Sequence, residues 1–288
     1  HIYFWSLLTV KKKLWNLACL PKLNNKRFSE GGKRKVKKNK KNPLFSIITV
    51  VYNGDKYLEK TIKSVLRQSY KNFEYIIIDG GSKDKSLNII KKYDKNIDYW
   101  VSEKDKGIYD AFNKGMKVSK GKFIGFINSD DIYKKNALNI ISNYIFENKH
   151  IDFIFGSVKK HWGVLYGYRP HKIKYSWSFY SSHSTGFFIK RKAAEKVGFY
   201  NIKYKYHADY DYFFRLIVKK KMKGISTKKS ELIGIFRRGG YSSKISFWST
   251  LKEDIKIRYD NKQNFLLLII IFCNKFFRNL DKLFKKSN

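Results

Sequence analysis

The sequence predicts an α/β protein built on a mostly parallel, twisted sheet that is flanked by helices and extended by a mixed sheet towards the carboxyl end. Two observations carry this prediction. Apolar, β-branched runs alternate with segments whose apolar residues recur at helical spacing. In addition, the runs at 44–52, 73–78 and 123–127 are apolar on both faces, as is typical of strands in the middle of a parallel sheet.

Local patterns account for the elements of the amino-terminal half in order. After the first strand, Asn53 and Gly54 turn the chain, and Leu58, Ile62 and Val65 recur at the spacing of one helix face. The further elements predicted before the strand at 123–127 are a helix over 84–93, a strand over 97–101 and a helix over 110–118.

The pattern changes after a predicted helix over 133–146, where antiparallel signals appear. The further predicted elements are a strand pair over 151–158 and 162–168, a strand over 185–189, a helix over 208–221 and a strand over 225–237. We expect this half to complete the pocket of the first half rather than to form an independent domain.

Three regions follow from these patterns. Residues 1–43 read as a basic appendage, 44–240 as one domain with halves 44–131 and 132–240, and 241–288 as a helical tail. The tail has a predicted helix over 246–259 and an apolar run with basic residues over 265–284. That last segment predicts either an amphipathic helix at a membrane surface or a helix packed on the body.

Composition limits the classes of protein. Of 288 residues, 43% are hydrophobic and 17% aromatic, which excludes general disorder. The two cysteines, Cys19 and Cys273, indicate no disulfide framework or zinc site. The net charge of +39 suits a phosphate-rich partner, but solvated surface lysine encoded by AT-rich DNA explains it equally well. The apolar runs at 2–10 and 265–273 are too short to span a bilayer.

A candidate site lies where three strands end. The strand at 123–127 is followed closely by Asp130 and Asp131, while Asn53 follows the strand at 44–52 and Asp79 follows the strand at 73–78. Because ligands of open α/β sheets bind beyond the carboxyl ends of the strands, these side chains should converge at one edge. Paired carboxylates there either hold a divalent cation or cap the following helix.

Five motifs together resemble family-2 glycosyltransferases with the GT-A fold. They are SIITVVYN at 46–53, QSYKNFE at 68–74, IDGGSKD at 78–84, SEKDKGIYDAFNKG at 102–115 and NSDD at 128–131. The likeness covers about residues 44–240, and the motif at 102–115 is similar to the branch that builds bacterial surface polysaccharides. It implies that 44–131 binds a nucleotide sugar and that 132–240 binds the acceptor.

The resemblance implies roles for the acidic strand ends. Asp130 and Asp131 match a DxD-type motif that would hold Mg²⁺ or Mn²⁺ against the diphosphate and ribose of the donor. Thr49, Tyr52 and Asp79 match positions that cradle the nucleoside base.

The donor motif also departs from the commonest pattern of the family, which has two acids before Gly-Ser. Gly80 occupies the second acidic place, so base recognition by Asp79 is less certain here. An ordinary strand-to-helix turn explains the glycines equally well. Asp105 would line the donor pocket or be an exposed loop acid.

A catalytic base is implied within 207–215, where Asp209 matches the acidic motif of the family. The helix amino end lowers the pKa of such a carboxylate, so partial burial would have to raise it into the range of a useful base. Capping of the helix is the alternative role for Asp209. Asp211 is the second choice as base, or else a surface acid.

Two further residues are candidates for contact with the acceptor or the diphosphate. His183 precedes a predicted strand, and a structural role is its alternative. Arg237 suits phosphate oxygens, unless it belongs to a basic loop without function.

The resemblance thus implies a metal-dependent, inverting glycosyltransferase. It would move a sugar from a nucleoside-diphosphate sugar, most readily a UDP sugar, to a lipid-linked saccharide. We expect a cytoplasmic enzyme held peripherally at the anionic inner face of the cell membrane. The alternatives are a catalytically inactive relative that binds carbohydrate or scaffolds an assembly, and a basic nucleic-acid-binding protein, which the acidic strand ends argue against.

Overall fold

A computed structural model describes residues 15, 17, 20, 29–36, 42–175, 184–237, 239 and 245–279. The strands are β1 (Ser29–Gly31), β2 (Phe45–Val51), β3 (Phe73–Asp79), β4 (Tyr99–Ser102), β5 (Phe123–Asn128), β6 (Ile132–Tyr133), β7 (Phe153–Phe155), β8 (Ser157–Lys160), β9 (Gly163–Leu165), β10 (Phe187–Lys190), β11 (Gly224–Ser226) and β12 (Leu232–Ile235). The helices are α1 (Lys33–Val36), α2 (Asp55–Leu66), α3 (Ser86–Lys92), α4 (Ile108–Val118), α5 (Ala137–Glu147), α6 (Arg191–Val197), α7 (Ala208–Phe214), α8 (Phe247–Asp260) and α9 (Phe265–Phe277).

The main sheet has the order β1-β4-β3-β2-β5-β10-β7-β11. Its centre, from β4 to β5, is parallel, while β10 runs antiparallel to both β5 and β7. The α/β prediction with a mostly parallel centre and a mixed extension is therefore confirmed. The carboxyl ends of β2, β3 and β5 lie side by side, as the sequence predicted.

Both faces of the sheet are covered, which explains why every residue of β2 is buried. Its residues alternate between two cores: Ile48 and Val50 pack with α4 on one face, and Ile47 and Val51 pack with α2 on the other. This alternation is the period of two that a strand imposes on its side chains.

A second sheet of order β6-β12-β8-β9 lies next to the first. Gly156 separates β7 in the main sheet from β8 in the second sheet. A Cβ atom at Gly156 would lie 2.3 Å from Cγ1 of Ile233, so only glycine allows the approach of β12. The predicted strand at 151–158 therefore divides into two strands, because the chain changes sheets at this glycine.

Four other expectations need correction. Part of the region 1–43 is integrated in the fold, since β1 pairs with β4 and Trp15 stacks on Phe199. The predicted helix at 133–146 begins at Ala137, because β6 precedes it. The predicted helix at 208–221 changes to a π-helix over Arg215–Lys219, and the predicted strand at 225–237 divides into β11 and β12.

The two last helices pack differently. α8 buries Leu251, Ile257 and Arg258 against the body. α9 buries only Leu268 and Ile271 and leaves several large apolar side chains exposed. Among the described residues, no helix has the length and hydropathy needed to cross a membrane.

Candidate active site

The loops that follow β2 and β3 are joined to each other at the edge where the parallel strands end. The backbone amide of Asn53 donates to Oγ of Ser82 over 2.8 Å, and its Oδ1 accepts from the amide of Lys83 over 2.8 Å. Asn53 has φ of +50°, a left-handed conformation that asparagine tolerates better than most residues. The loops after β2 and β3 are therefore joined by two hydrogen bonds at this edge of the sheet.

Asp79 holds Ser82, one of the residues through which the two loops are joined. Its buried carboxylate accepts from both the amide and the hydroxyl of Ser82, and from Oγ of Ser102 at 2.5 Å. These bonds occupy both carboxylate oxygens. The structure therefore places Asp79 at the predicted edge as the residue that shapes the loop.

The other two predicted base contacts differ in position. Tyr52 is 61% exposed just beyond β2, where its ring can stack on a nucleoside base. Thr49 is fully buried, and its hydroxyl is hydrogen-bonded to that of Tyr75 at 2.9 Å. The predicted contact of Thr49 with the base does not fit this interior position; its hydroxyl instead satisfies a buried phenol.

Asp105 lies directly against Gly80. A Cβ atom on Gly80 would be 2.3 Å from Oδ2 of Asp105, so this carboxylate fills the space that a side chain at position 80 would need. Burial raises the pKa of Asp105, and its Oδ1 accepts from the amide of Gly107 over 2.9 Å. The loop is held by a nearly buried ion pair between Lys114 and Glu103 at 2.8 Å. Asp105 thus lies in the predicted donor region as a half-buried acid, not as a freely exposed loop residue.

Asp130 and Asp131 have different environments although they are adjacent. Asp131 is fully buried: its Oδ2 accepts from the hydroxyl of Thr185 and from Nδ2 of Asn128, and its Oδ1 accepts from the amide of Arg237 at 3.2 Å. Burial raises the pKa of Asp131 to about 7. None of these donors is a backbone amide of the following helix, α5, so the helix-cap alternative does not describe Asp131 in this structure.

Asp130 is the accessible member of the pair. Its side chain is 24% exposed, and Oδ2 lies 3.2 Å from Nη2 of Arg237. The Arg237 guanidinium stacks on the ring of Tyr57 at 3.8 Å, which holds it over the carboxylate. The structure therefore brings Asp130 and Arg237 together, as expected if both face the diphosphate.

The oxygen groups around Asp130 fit a divalent cation that takes most of its ligands from substrate and water. Oδ1 of Asn128 is buried at the end of β5 and has no hydrogen-bond partner among the described residues. This amide oxygen is therefore available as a metal ligand. Within the same residues, no group of three or more His, Cys, Asp and Glu side chains is placed to hold a metal. Mg²⁺ commonly binds through one or two protein oxygens plus phosphate and water. Between the two acids, Asp130 is the one better placed for such a cation, because it is partly exposed whereas both oxygens of the buried Asp131 are engaged.

Asp209 lies in the first turn of α7, half-buried. Its Oδ1 accepts from the amide of Tyr210 at 2.9 Å and lies 3.3 Å from the hydroxyl of Tyr109. Burial raises the pKa of Asp209, while His207 and these two hydrogen bonds act in the opposite direction. The burial that a useful base requires is therefore present. The alternative role as helix cap is not the one observed, since His207 is the residue at the cap position.

The remaining predicted contacts have mixed outcomes. Asp211 is buried, and both of its oxygens are engaged, by Nε of Arg215 and by Nδ2 of Asn261, each at 2.9 Å. It is therefore neither a surface acid nor a second base in this conformation. His183 lies outside the described residues.

Three residues near the site were not identified from the sequence. Tyr109 contacts Asp209, and Asn128, the last residue of β5, has a buried side-chain oxygen without a hydrogen-bond partner among the described residues. Lys160, whose pKa is lowered by burial, interacts electrostatically with Asp131 and Asp209. Tyr109 and Lys160 depend on contacts between distant parts of the chain, which no local pattern could have shown, whereas Asn128 lies within the motif at 128–131 and could have been found there.

Comparisons with known proteins agree with this architecture. The sequence model described as Glycosyl transferase family 2 matches residues 46–216. An uncharacterized glycosyltransferase of Rickettsia typhi is 32% identical over 197 residues, which are 63% of this chain and 61% of that protein. A PGL/p-HBAD biosynthesis glycosyltransferase of Mycobacterium tuberculosis is 29% identical over 182 residues, or 60% of this chain and 69% of that protein. The chain thus spans about three fifths of the length of the Rickettsia relative.

Solved structures support the fold. S. aureus TarS (residues 1–349) in complex with UDP-GlcNAc has a TM-score of 0.62 at 18% identity, covering 84% of this chain and 76% of that one. The mannosyltransferase PcManGT from Pyrobaculum calidifontis, in complex with GDP-Man and Mn²⁺, has a TM-score of 0.59 at 13% identity. The match covers 98% of this chain and 77% of the mannosyltransferase chain. At these identities the likeness establishes the GT-A fold alone.

Proposed function

This chain belongs to glycosyl transferase family 2, and from that premise we propose that it moves a sugar from a nucleoside-diphosphate sugar to a saccharide acceptor in the synthesis of a surface polysaccharide. The observation that carries the proposal is the 3.3 Å contact between Tyr109 and Asp209. This contact joins Asp209, a half-buried acid of the half 132–240, to α4, the helix that follows the loop of Asp105. A candidate base is thereby held beside a nucleotide-binding edge.

The donor would lie across the joined loops after β2 and β3. Tyr52 offers an exposed ring for the base, and Asp105 offers a carboxylate beside Gly80. Asp130 and Asn128 would hold Mg²⁺ or Mn²⁺, which when bound neutralises charge on the departing diphosphate. Arg237 lies next to Asp130 and would contact phosphate oxygens.

The proposed transfer is a single displacement. Asp209 takes the proton from an acceptor hydroxyl as its oxygen attacks the anomeric carbon. The new glycosidic bond forms while the bond from that carbon to the diphosphate oxygen breaks, and the nucleoside diphosphate leaves with the electron pair. One displacement inverts the anomeric centre. The configuration of the product bond, read by NMR after transfer from a donor of known anomer, tests this step, and retention would contradict it.

We propose UDP as the nucleotide of the donor, in line with the UDP-GlcNAc complex of TarS. The GDP-Man complex of PcManGT makes GDP the first competitor. Because a ligand that binds the folded state stabilises it, thermal shifts with UDP, GDP and dTDP in the presence of Mn²⁺ discriminate between them. A larger shift with GDP or dTDP than with UDP would overturn the choice of UDP.

We also propose that α9 holds the enzyme peripherally on an anionic membrane, at the inner face of the cell membrane, where a lipid-linked acceptor would be met. Large apolar side chains are exposed on α9: Phe265, Leu266, Ile269, Ile270, Phe272 and Phe277. The charge of +39 complements anionic lipid. Sedimentation with phosphatidylglycerol vesicles should exceed that with phosphatidylcholine vesicles and should fall with salt. Equal binding to both vesicles would sink the anchoring proposal.

A further inference from the structure

One carboxylate of α8 holds the segment that leads into α7. Oε1 of Glu253 accepts from the backbone amides of Tyr206 at 2.6 Å and His207 at 2.7 Å, and Oε2 accepts from that of Lys205 at 2.9 Å. Three consecutive amides therefore converge on a single side chain. Asp209 follows this segment after one intervening residue.

From this arrangement we propose that Glu253 is a positioning residue, which fixes the carboxylate of Asp209 where it can accept the proton of the acceptor. The inference rests on the proposed function, because it assumes that Asp209 is the base. Glu253 itself touches only backbone amides of this segment in the contacts described above. It acts through Asp209 rather than on the reacting atoms.

The segment is held from two sides. Glu253 takes the amide of Tyr206, while the hydroxyl of Tyr109 donates to the carbonyl oxygen of the same residue over 2.9 Å. The same hydroxyl lies 3.3 Å from Oδ1 of Asp209. Displacement of the backbone at 205–207 would therefore change the distance between Tyr109 and Asp209.

The remainder of α8 lies along the same stretch of chain. Seven residues after Glu253, Asp260 accepts from the hydroxyl of Tyr204 at 2.6 Å, and Nδ2 of Asn261 donates to Asp211 over 2.9 Å. Positions seven apart lie on one face of a helix. The family match ends at residue 216, so α8 supplies this support from outside the matched region.

α7 has anchors of its own that do not depend on Glu253. The side chains of Tyr210, Tyr212 and Phe213 are buried in the core. Nη1 and Nη2 of Arg215 donate to the carbonyl oxygens of residues 197 and 199 over 2.7 and 2.9 Å. Loss of Glu253 should therefore loosen the approach to Asp209 without unfolding the helix. A displacement near 1 Å at a reacting group can cost about 100-fold in rate.

The test compares Glu253→Ala, Glu253→Gln and the control Glu59→Ala. Glu59 also accepts from several side chains, those of Lys63, Lys92 and Tyr93, but on the distant surface of α2 and α3. Turnover is followed as release of nucleoside diphosphate from UDP-GlcNAc, UDP-glucose and GDP-mannose with Mn²⁺. We expect Glu253→Ala to lower kcat by about 10- to 100-fold while KM for the donor stays within about twofold. Glu253→Gln should recover most of kcat, because its amide oxygen can still accept from residues 206 and 207, and Glu59→Ala should match the wild type.

A second readout does not depend on turnover. In carboxyl-carbon NMR titrations, with the Asp209 signal assigned by its loss in Asp209→Asn, Glu253→Ala should shift the pKa of Asp209, because both the burial of this carboxyl and its distance from the Tyr109 hydroxyl depend on the segment that Glu253 holds. Glu253→Gln should leave that pKa unchanged, which separates positioning from loss of charge. Wild-type kcat and an unchanged Asp209 pKa in Glu253→Ala would overturn the proposal. If the wild type itself releases no nucleoside diphosphate, the proposed function fails, and an unchanged Asp209 pKa in Glu253→Ala would then overturn the positioning role separately.

Discussion

Gly80 and Asp105 exclude any side chain between them: a Cβ atom on Gly80 would lie 2.3 Å from Oδ2 of Asp105. Asp105 comes from the loop after β4, whereas Gly80 follows β3. Position 80 therefore has no room for an acidic side chain, because the carboxylate of Asp105 occupies that space. We expect the acidic character of this part of the donor region to come from Asp105.

The first prediction concerns this contact. Gly80→Ala should displace Asp105 and raise KM for the donor, because the added methyl group cannot be accommodated while Asp105 stays in place. Asp105→Ala should also raise KM. The double variant should then be less impaired than the sum of the two, since the clash is absent once Asp105 is shortened. Strictly additive effects in steady-state kinetics would show that the two positions do not interact.

The second prediction concerns pH. Asp209 must be ionised to accept a proton, and burial raises its pKa, so the acidic limb of the profile of kcat should lie above the ordinary range of aspartate. The hydrogen bond from Tyr109 lowers this pKa. Tyr109→Phe should therefore move the acidic limb to still higher pH. A shift to lower pH, or no shift, would contradict the assignment of Asp209 as base.

The third prediction concerns the amino-terminal segment. The guanidinium of Arg34 pairs with the carboxylate of Glu74, and the two side chains are only 4% and 8% exposed. Glu74 also accepts from Oγ of Ser46 at 2.5 Å and from the amide of Lys120 at 2.6 Å. Removing one partner of a buried pair leaves an uncompensated charge, so Glu74→Ala should cost about 3 kcal/mol or more of unfolding free energy. Denaturant titration measures this loss.

Arg34→Ala removes the other member of the ion pair and is measured by the same denaturant titration. It should also destabilise the fold if residues 29–36 are docked in solution as they are in the structure. A stability equal to that of the wild type would mean that the segment is a detached appendage after all.

The fourth prediction separates the two adjacent acids. Asp130→Asn should reduce release of nucleoside diphosphate by about 100-fold or more with little change in melting temperature, because this accessible carboxylate is the proposed cation ligand. Asp131→Asn should chiefly lower the melting temperature, because its carboxylate accepts from Thr185, Asn128 and Arg237 in the interior. The reverse pattern would assign the cation to Asp131.

The fold was predictable because its central strands are apolar on both faces and its helices have one apolar face. β2 and β5 were located to within one or two residues from these patterns alone. The strand at 151–158 was not divided correctly, because the break at Gly156 depends on the approach of Ile233 from β12. Local sequence carries no information about such a distant neighbour.

The site was predictable as an edge but not in its detail. The sequence placed Asp79 and Asp130 at the carboxyl ends of two strands of one sheet, and the structure has Asp79 at the end of β3 and Asp130 just beyond β5, on either side of β2. It did not show that Asp131 is buried or that Thr49 bonds Tyr75, since burial is set by packing across the sheets. The contributions of Tyr109 and Glu253 arise from contacts with sequence separations of 100 and 46 residues.

The most direct test of the central claim is release of nucleoside diphosphate by the wild type and by Asp209→Asn, from a panel of UDP, GDP and dTDP sugars with Mn²⁺. A saccharide extract is supplied as acceptor, and EDTA serves as the metal-free arm. We expect the wild type to turn over one nucleotide class, EDTA to abolish the reaction, and Asp209→Asn to lose about 100-fold or more in kcat while its affinity for the nucleotide is retained. Absence of turnover with every donor, or equal turnover by wild type and Asp209→Asn, would contradict the account.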